Sequence, residues 1–185
     1  MEIRSNMPGP LLSRVRREFR LDFFVETGTA AGHTTELAAI YFDVVFTCEI
    51  DSNLLAVAQK RLEQYHNIRF YNMSSPEFIR KIKPSVSQPA LWWLDAHWCG
   101  GKVKPAKECP LLEELVEVKG THGHSVILID DADLIIAPPK PPHDPSHWPT
   151  LDAVKEVIAE WKEDVNIEIV QGTLTKVICI TPKKL

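Results

Sequence analysis

Apolar positions along this chain follow two alternating rhythms. Some short runs are apolar almost throughout and rich in β-branched and aromatic residues, such as VVFTCE at 44–49, ALWWLD at 90–95 and SVILID at 125–130. Such runs suit strands buried on both faces. Between them lie stretches with apolar residues at helical spacing, such as Leu54, Leu55, Val57, Ala58 and Leu62. The pattern predicts helices over Leu11–Phe19, Thr34–Tyr41, Asn53–Tyr65, Pro76–Lys83, Cys109–Lys119 and Leu151–Trp161. It predicts strands over Asp22–Glu26, Val44–Glu49, Ile68–Tyr71, Ala90–Asp95, Ser125–Asp130, Ile167–Val170 and Lys176–Ile180. Pro110 is expected in the first turn of its helix and Thr150 as the cap of the last one.

Apolar strands separated by helices indicate a parallel sheet covered on both faces. Only Gln171–Thr175 separate the last two strands, too few for a crossover, so these should form an antiparallel hairpin. The expected fold is α/β: a doubly wound, Rossmann-like seven-stranded sheet, mostly parallel, with a C-terminal antiparallel hairpin. Residues 1–185 read as one domain, with a helical segment over 1–20. One stretch departs in composition: residues 137–149 carry six of the 14 prolines. So long and semi-rigid a connection reads as a lid, with a surface spacer as the plainer alternative.

Composition narrows the class. No apolar run approaches the ~18 residues of a membrane span, and MEIRSNMPGPLLSR offers no signal-peptide core. The protein is therefore expected in the cytoplasm, away from membranes. A net charge of −4 argues against a general nucleic-acid binder. The basic cluster Arg14, Arg16, Arg17 and Arg20 reads as a solvated helix face. Cys48 and Cys179 sit in apolar runs and read as core. Cys99, Cys109 and His97 could supply three metal ligands, but no CxxC pair supports them.

In a doubly wound sheet, ligands bind beyond the carboxyl ends of the strands. The residues just after the predicted strands are polar in every case: 26–35, Glu49, 72–75, 95–98 and 130–133. In FVETGTAAGHTT, Gly28 and Gly32 permit a tight turn and a close ligand, and the helix start offers free N–H groups. Thr34 adds a hydroxyl. A phosphate cradle would carry a lysine, absent here, and Glu26 would attract an ammonium. Glu49, ending the second strand, can accept both hydroxyls of a ribose. An amino acid joined to a ribose points to S-adenosylmethionine.

ETGTAAGHT resembles the first motif of class I S-adenosylmethionine-dependent methyltransferases. The match is to the E-x-G-x-x-x-G-x-[ST] form of small-molecule O-methyltransferases of the catechol O-methyltransferase type. The resemblance extends over residues 22–182 through the element order, with Glu49 placed 23 residues after Glu26. It implies that Glu26, Gly28, Thr29, Gly32 and Thr34 hold the methionine part, Glu49 the ribose, and Ser74 the adenine side, with Asp95 beside the cofactor. It also implies a small-molecule methyl acceptor and suggests a homodimer.

LDAHW and IDDA resemble the segments that bind magnesium in the metal-dependent members. Asp95, Asp130 and Asp131 would then hold Mg²⁺ or another divalent cation. The chain departs from that group in three ways. Asp131 replaces an Asn, Ala96 is inserted before His97-Trp98, and the lysine base is not at its spacing, Lys102 lying nearby in a Gly-rich loop. His97 is the candidate base, with Asp95 beside it as the second catalytic candidate. Capping of a loop, or orienting the adenosine amine, is the plainer role for Asp95 and Asp130, and a structural hydrogen bond for His97. Trp92 and Trp93 should face opposite sides of the sheet as core. Trp98 could line an acceptor pocket, and His143, His147 and Trp148 could close over it. The leading expectation is O-methylation of a small polar acceptor such as a sugar or phenol. A cofactor-binding module without turnover is the alternative. An NAD-dependent oxidoreductase fits less well, given Glu26 before the glycines and Ala30 at the middle glycine position.

Overall fold

The computed structural model describes residues 5–100, 105–121, 125–161 and 164–183. Its helices are α1 (Gly9–Phe19), α2 (His33–Tyr41), α3 (Ser52–Arg61), α4 (Ser75–Ile82), α5 (Leu111–Val118), α6 (Asp133–Ile136) and α7 (Leu151–Ala159). Its strands are β1 (Phe23–Thr27), β2 (Val44–Glu49), β3 (Ile68–Asn72), β4 (Ala90–Leu94), β5 (Val126–Ile129), β6 (Val165–Gln171) and β7 (Lys176–Pro182). They form one seven-stranded sheet in the order β3-β2-β1-β4-β5-β7-β6. The first five strands run parallel, and β7 is antiparallel to both β5 and β6. The expected doubly wound sheet with its terminal hairpin is the observed fold. No helix among the described residues is long and apolar enough to cross a membrane.

Strand alternation divides the core into two layers. Val25, Phe46, Trp92 and Ile127 point to one face, where they meet Phe78 of α4, Leu115 of α5 and Ile158 of α7. Phe24, Val45, Trp93 and Leu128 point to the other, against Leu12 of α1 and Ala38 of α2. Trp92 and Trp93 are fully buried, one in each layer, as adjacent residues of a pleated strand must be. Truncating either would cost about 3–5 kcal/mol. Of the arginine cluster, Arg14, Arg17 and Arg20 are exposed, while Arg16 lies over the Phe42 ring.

The boundaries differ from expectation where a local residue decides them. α3 stops at Arg61, because Leu62 leaves helical geometry and drops into the core against the α2 side. Pro110 is the N-cap of α5 rather than a first-turn residue. Thr150 caps α7 by accepting the Ala153 N–H at 3.2 Å. The Pro-rich segment holds a 3-10 turn at Pro145–His147, capped by Asp144.

Candidate active site

The register of the parallel strands sets out the site. Thr27 pairs with Cys48 and Leu94, Glu49 with Asn72, and Leu94 with Ile129. One step further along each strand, Asn72, Glu49, Gly28, Asp95 and Asp130 fall on one line across the carboxyl ends. The line crosses the switch in strand order between β1 and β4, where such folds bind ligands.

A cleft of about 510 Å³ opens above the β1–β4 stretch of this line. Its walls include Gly28, Ala30, Glu49, Ser74, Asp95 and His97. Glu49 is nearly buried, and its two oxygens accept the N–H groups of Ala30 at 2.9 Å and Asp51 at 3.0 Å. Each carboxylate oxygen can accept twice, so both keep capacity for a ligand hydroxyl. Ile50, Leu54 and Met73 give an apolar wall next to Ser74, which caps α4 and donates to Glu77 at 2.6 Å. A hydroxyl-accepting acid beside an apolar slot fits a nucleoside.

The other residues expected to bind cofactor lie off the cleft. Glu26 is 1% exposed, and one of its oxygens accepts the hydroxyls of Thr35 at 2.5 Å and Thr47 at 2.6 Å. Burial pushes its pKa up to about 7 against the pull of those two hydroxyls. Thr29 is buried with its hydroxyl 2.6 Å from that of Thr47. Thr34 meets the Ser5 hydroxyl at 2.9 Å. Both glycines take left-handed backbone, and their missing side chains are replaced by protein. A Cβ on Gly28 would lie 2.3 Å from the Asp95 carbonyl oxygen, and one on Gly32 2.8 Å from Leu62. The glycines thus serve chain-to-chain packing at the corner, not only a ligand's approach.

At the β4 and β5 ends, where Asp95 and His97 form one wall of the cleft, the acids already have protein partners. His97 is held between carboxylates, with Nε2 2.9 Å from Asp131 and Nδ1 3.4 Å from Asp95. Burial alone would lower its pKa, but the Asp131 hydrogen bond, a Cys99 contact and the Asp95 charge lift it well above the usual range. Asp131 is opposite in sign: burial would raise it, but the His97 contact holds it low. Its place between two carboxylates therefore favours the protonated form of His97, paired with Asp131. An imidazolium donates a proton and cannot act as a base until it loses one. Asp95 is raised by burial and by the Asp130 charge, and Asp130 by burial and by Asp131.

This arrangement does not fit the divalent-cation site expected of Asp95, Asp130 and Asp131. Among the described residues no group of three His, Cys, Asp or Glu is placed to hold a metal, including His97, Cys99 and Cys109. The reason is local. Asp131 sits in left-handed backbone with its carboxylate on His97, while Asp130 Oδ1 accepts the Asn6 amide and the Asp131 N–H at 2.7 Å. Lys102 lies outside the described residues.

Three contributors escaped the sequence pattern. Asn6 reaches over the strand ends, donating to Asp130 and to the Thr175 hydroxyl at 2.6 Å and accepting the Leu174 N–H at 2.6 Å. Gly172 leaves room for it, since a Cβ there would lie 2.8 Å from the Asn6 side chain. Glu114 of α5 is buried beneath the site, its pKa raised by burial against hydrogen bonds from Ser75 and Thr27. Glu108 is buried and gathers the Pro-rich segment, accepting the Trp148 indole N–H at 3.0 Å. Trp148 in turn lies 5.3 Å from the His97 ring, ring centre to ring centre. No local spacing signals a contact between residues 6 and 174, or 108 and 148.

No protein-family model and no curated protein matches the chain. Solved structures do. A protein from Staphylococcus aureus provisionally named a caffeoyl-CoA O-methyltransferase superposes with a TM-score of 0.67 at 14% identity, over 94% of this chain and 82% of that one. An O-methyltransferase from Bacillus cereus, solved in complex with S-adenosylhomocysteine, gives 0.63 at 13%, over 95% and 80%. A S-adenosylmethionine-dependent methyltransferase from Aquifex aeolicus gives 0.59 at 12%, over 96% and 92%. At such identities the likeness is one of fold, and the chain has the Rossmann-like fold of class I S-adenosylmethionine-dependent methyltransferases.

Proposed function

We propose that this chain is a S-adenosylmethionine-dependent methyltransferase that methylates a hydroxyl of a small polar acceptor such as a sugar or phenol. The carrying observation is Glu49. It ends β2 at the switch point, lines the cleft, and keeps acceptor capacity on both oxygens for a ribose diol. Ser74 and Met73 would flank the adenine, and the Gly28–Ala30 corner the methionine part. When bound, the cofactor's sulfonium supplies an electrophilic methyl group. The protein's own work is alignment and one proton. The acceptor hydroxyl must lose its proton as the new O–C bond forms. His97 takes it at a ring nitrogen once the Asp95–His97–Asp131 set has released its own proton to solvent through the open cleft. Asp131 then steadies the imidazolium. No step is assigned to a metal. In this reading the whole chain acts as one domain, with residues 137–149 as the lid over the acceptor.

One observation favours a second reading, a module that binds cofactor without turnover. The acceptor side is filled by Asn6, His97 and Trp148. The two readings separate in one experiment. Purified protein is incubated with methyl-labelled S-adenosylmethionine and a panel of sugars and phenols, with an Asp95→Ala control. Label transfer that the control abolishes supports the enzyme. Tight cofactor binding with no transfer across the panel supports the module. Binding of NAD in place of S-adenosylmethionine would overturn both.

A further inference from the structure

Glu108 has a chemistry that the proposed reaction does not use. It lies in the connection between β4 and α5 and is 0% exposed. A buried carboxylate is costly unless donors surround it. Donors from the Pro-rich segment meet it. The Asp144 N–H lies 3.3 and 3.2 Å from its two oxygens, the Trp148 indole N–H 3.0 Å from Oε2, and His143 Nδ1 3.1 Å from Oε2. Its main-chain carbonyl accepts the Trp98 N–H at 2.8 Å. One residue therefore joins the 137–149 segment to the loop that carries His97.

The rings show what the joint holds. Trp148 packs 5.3 Å from His97 and 5.2 Å from His143, and His143 stands edge-on to Trp98 at 5.8 Å. His97 has carboxylates at two of its edges, Asp95 and Asp131, and the indole of Trp148 against its ring. The carboxylates fix where the ring nitrogens point. The indole limits where the ring can swing. Trp148 itself is held by its N–H on Glu108.

We infer that Glu108 is a positioning residue for the transfer site, acting through Trp148 to hold the His97 ring in line with Asp95 and Asp131. A plain loop staple would need the same hydrogen bonds but would leave His97 unaffected. The consequence for turnover rests on the methyltransferase reading, whereas the effect on His97 does not.

The test uses the full chain and three variants, Glu108→Ala, Glu108→Asp and Glu108→Gln. The His97 ring C–H signals are followed by NMR, assigned by their loss in His97→Gln. Amide hydrogen exchange over 143–148 is measured in parallel. In Glu108→Ala the His97 signals should move or broaden, and exchange at Asp144 should rise about 100-fold. Glu108→Asp withdraws the oxygens by one methylene and should move the signals less. Glu108→Gln keeps an oxygen that can accept from Trp148 and Asp144, and should restore the wild-type signals. With an acceptor in hand, Glu108→Ala should lower kcat by roughly 10- to 100-fold with cofactor affinity unchanged, and Glu108→Gln should recover most of it. Loosened exchange with unmoved His97 signals would overturn the inference and leave Glu108 a staple. If Glu108→Ala does not fold, the Asp and Gln variants decide it: His97 signals equal to wild type in both would overturn it. Failure of the wild type to bind S-adenosylmethionine would sink the methyltransferase reading alone, since the His97 signals are read without cofactor.

Discussion

The two halves of the line of strand ends carry similar residues and treat them differently. On the β1 and β2 side, Glu49 borders an open cleft and keeps lone pairs to offer. On the β4 and β5 side, Asp95, Asp130 and Asp131 are answered by His97 and Asn6, and Trp148 closes in behind. The open half is shaped to take a ligand. The filled half is a charged, pre-arranged cluster, which in the proposed reaction must give up a proton or a contact before an acceptor can react there. Glu26 makes the same point at one residue's remove. It is an acid at a strand end like Glu49, yet two threonine hydroxyls and full burial make it part of the floor.

That comparison can be broken most forcefully at His97. If the filled half does the chemistry, His97→Gln should cut methyl transfer by about 10²- to 10⁴-fold while cofactor affinity stays within about threefold. The wild-type rate should also rise with pH. The base form of His97 is the deprotonated one and its pKa is raised, so the climb belongs above the ordinary histidine value of 6.5. A rate profile flat above that value would contradict the paired imidazolium.

The joint between the halves is the next target. Gly28→Ala would press a Cβ onto the Asp95 carbonyl at 2.3 Å, in left-handed backbone. Urea unfolding should show a loss of about 2–4 kcal/mol. A neutral substitution would mean that the corner is looser than the register implies.

The buried acid gives a pH signature. Folding raises the Glu26 pKa from 4.5 to about 7, so the folded state favours the protonated carboxyl. Its stabilising contribution is full below 4.5 and is lost as pH rises to about 7, by up to about 3 kcal/mol. Glu26→Gln should lack that slope in melts taken across this window. Parallel wild-type and variant curves would place Glu26 nearer solvent than described.

The smallest expected effect is that of a chelator. With the Asp130 and Asp131 oxygens engaged by Asn6 and His97, EDTA should leave turnover and cofactor affinity within about twofold. A large loss would show that the carboxylates rearrange around a cation.

The fold was legible because it is written locally. Runs such as VVFTCE and SVILID bury both faces, and the four-residue turn at 172–175 leaves no room for a crossover. That Glu49 and Ser74 stand at the mouth of a cleft was legible for the same reason. A strand must end somewhere, and Glu49 and Ser74 stand at and just past the ends of β2 and β3. The filled half was half legible. Asp95, His97, Asp130 and Asp131 were visible as a set, but the charge on His97 depends on burial and on which oxygen it meets. Asn6 and Glu108 were hidden, because each acts across a span of sequence that carries no periodic signal. The glycines have a second role that their motif does not show. Their motif is the same whether the vacant Cβ space admits a ligand or, as at Gly28, a neighbouring strand's carbonyl.

In the proposed function, the open half holds S-adenosylmethionine through Glu49. Calorimetric titration of the cofactor into wild type and Glu49→Ala, with and without Mg²⁺, tests it directly. Wild type should bind in the micromolar range, independent of Mg²⁺, and the variant on the order of 100-fold more weakly. Equal affinity in the two proteins, or no binding to either, would contradict it.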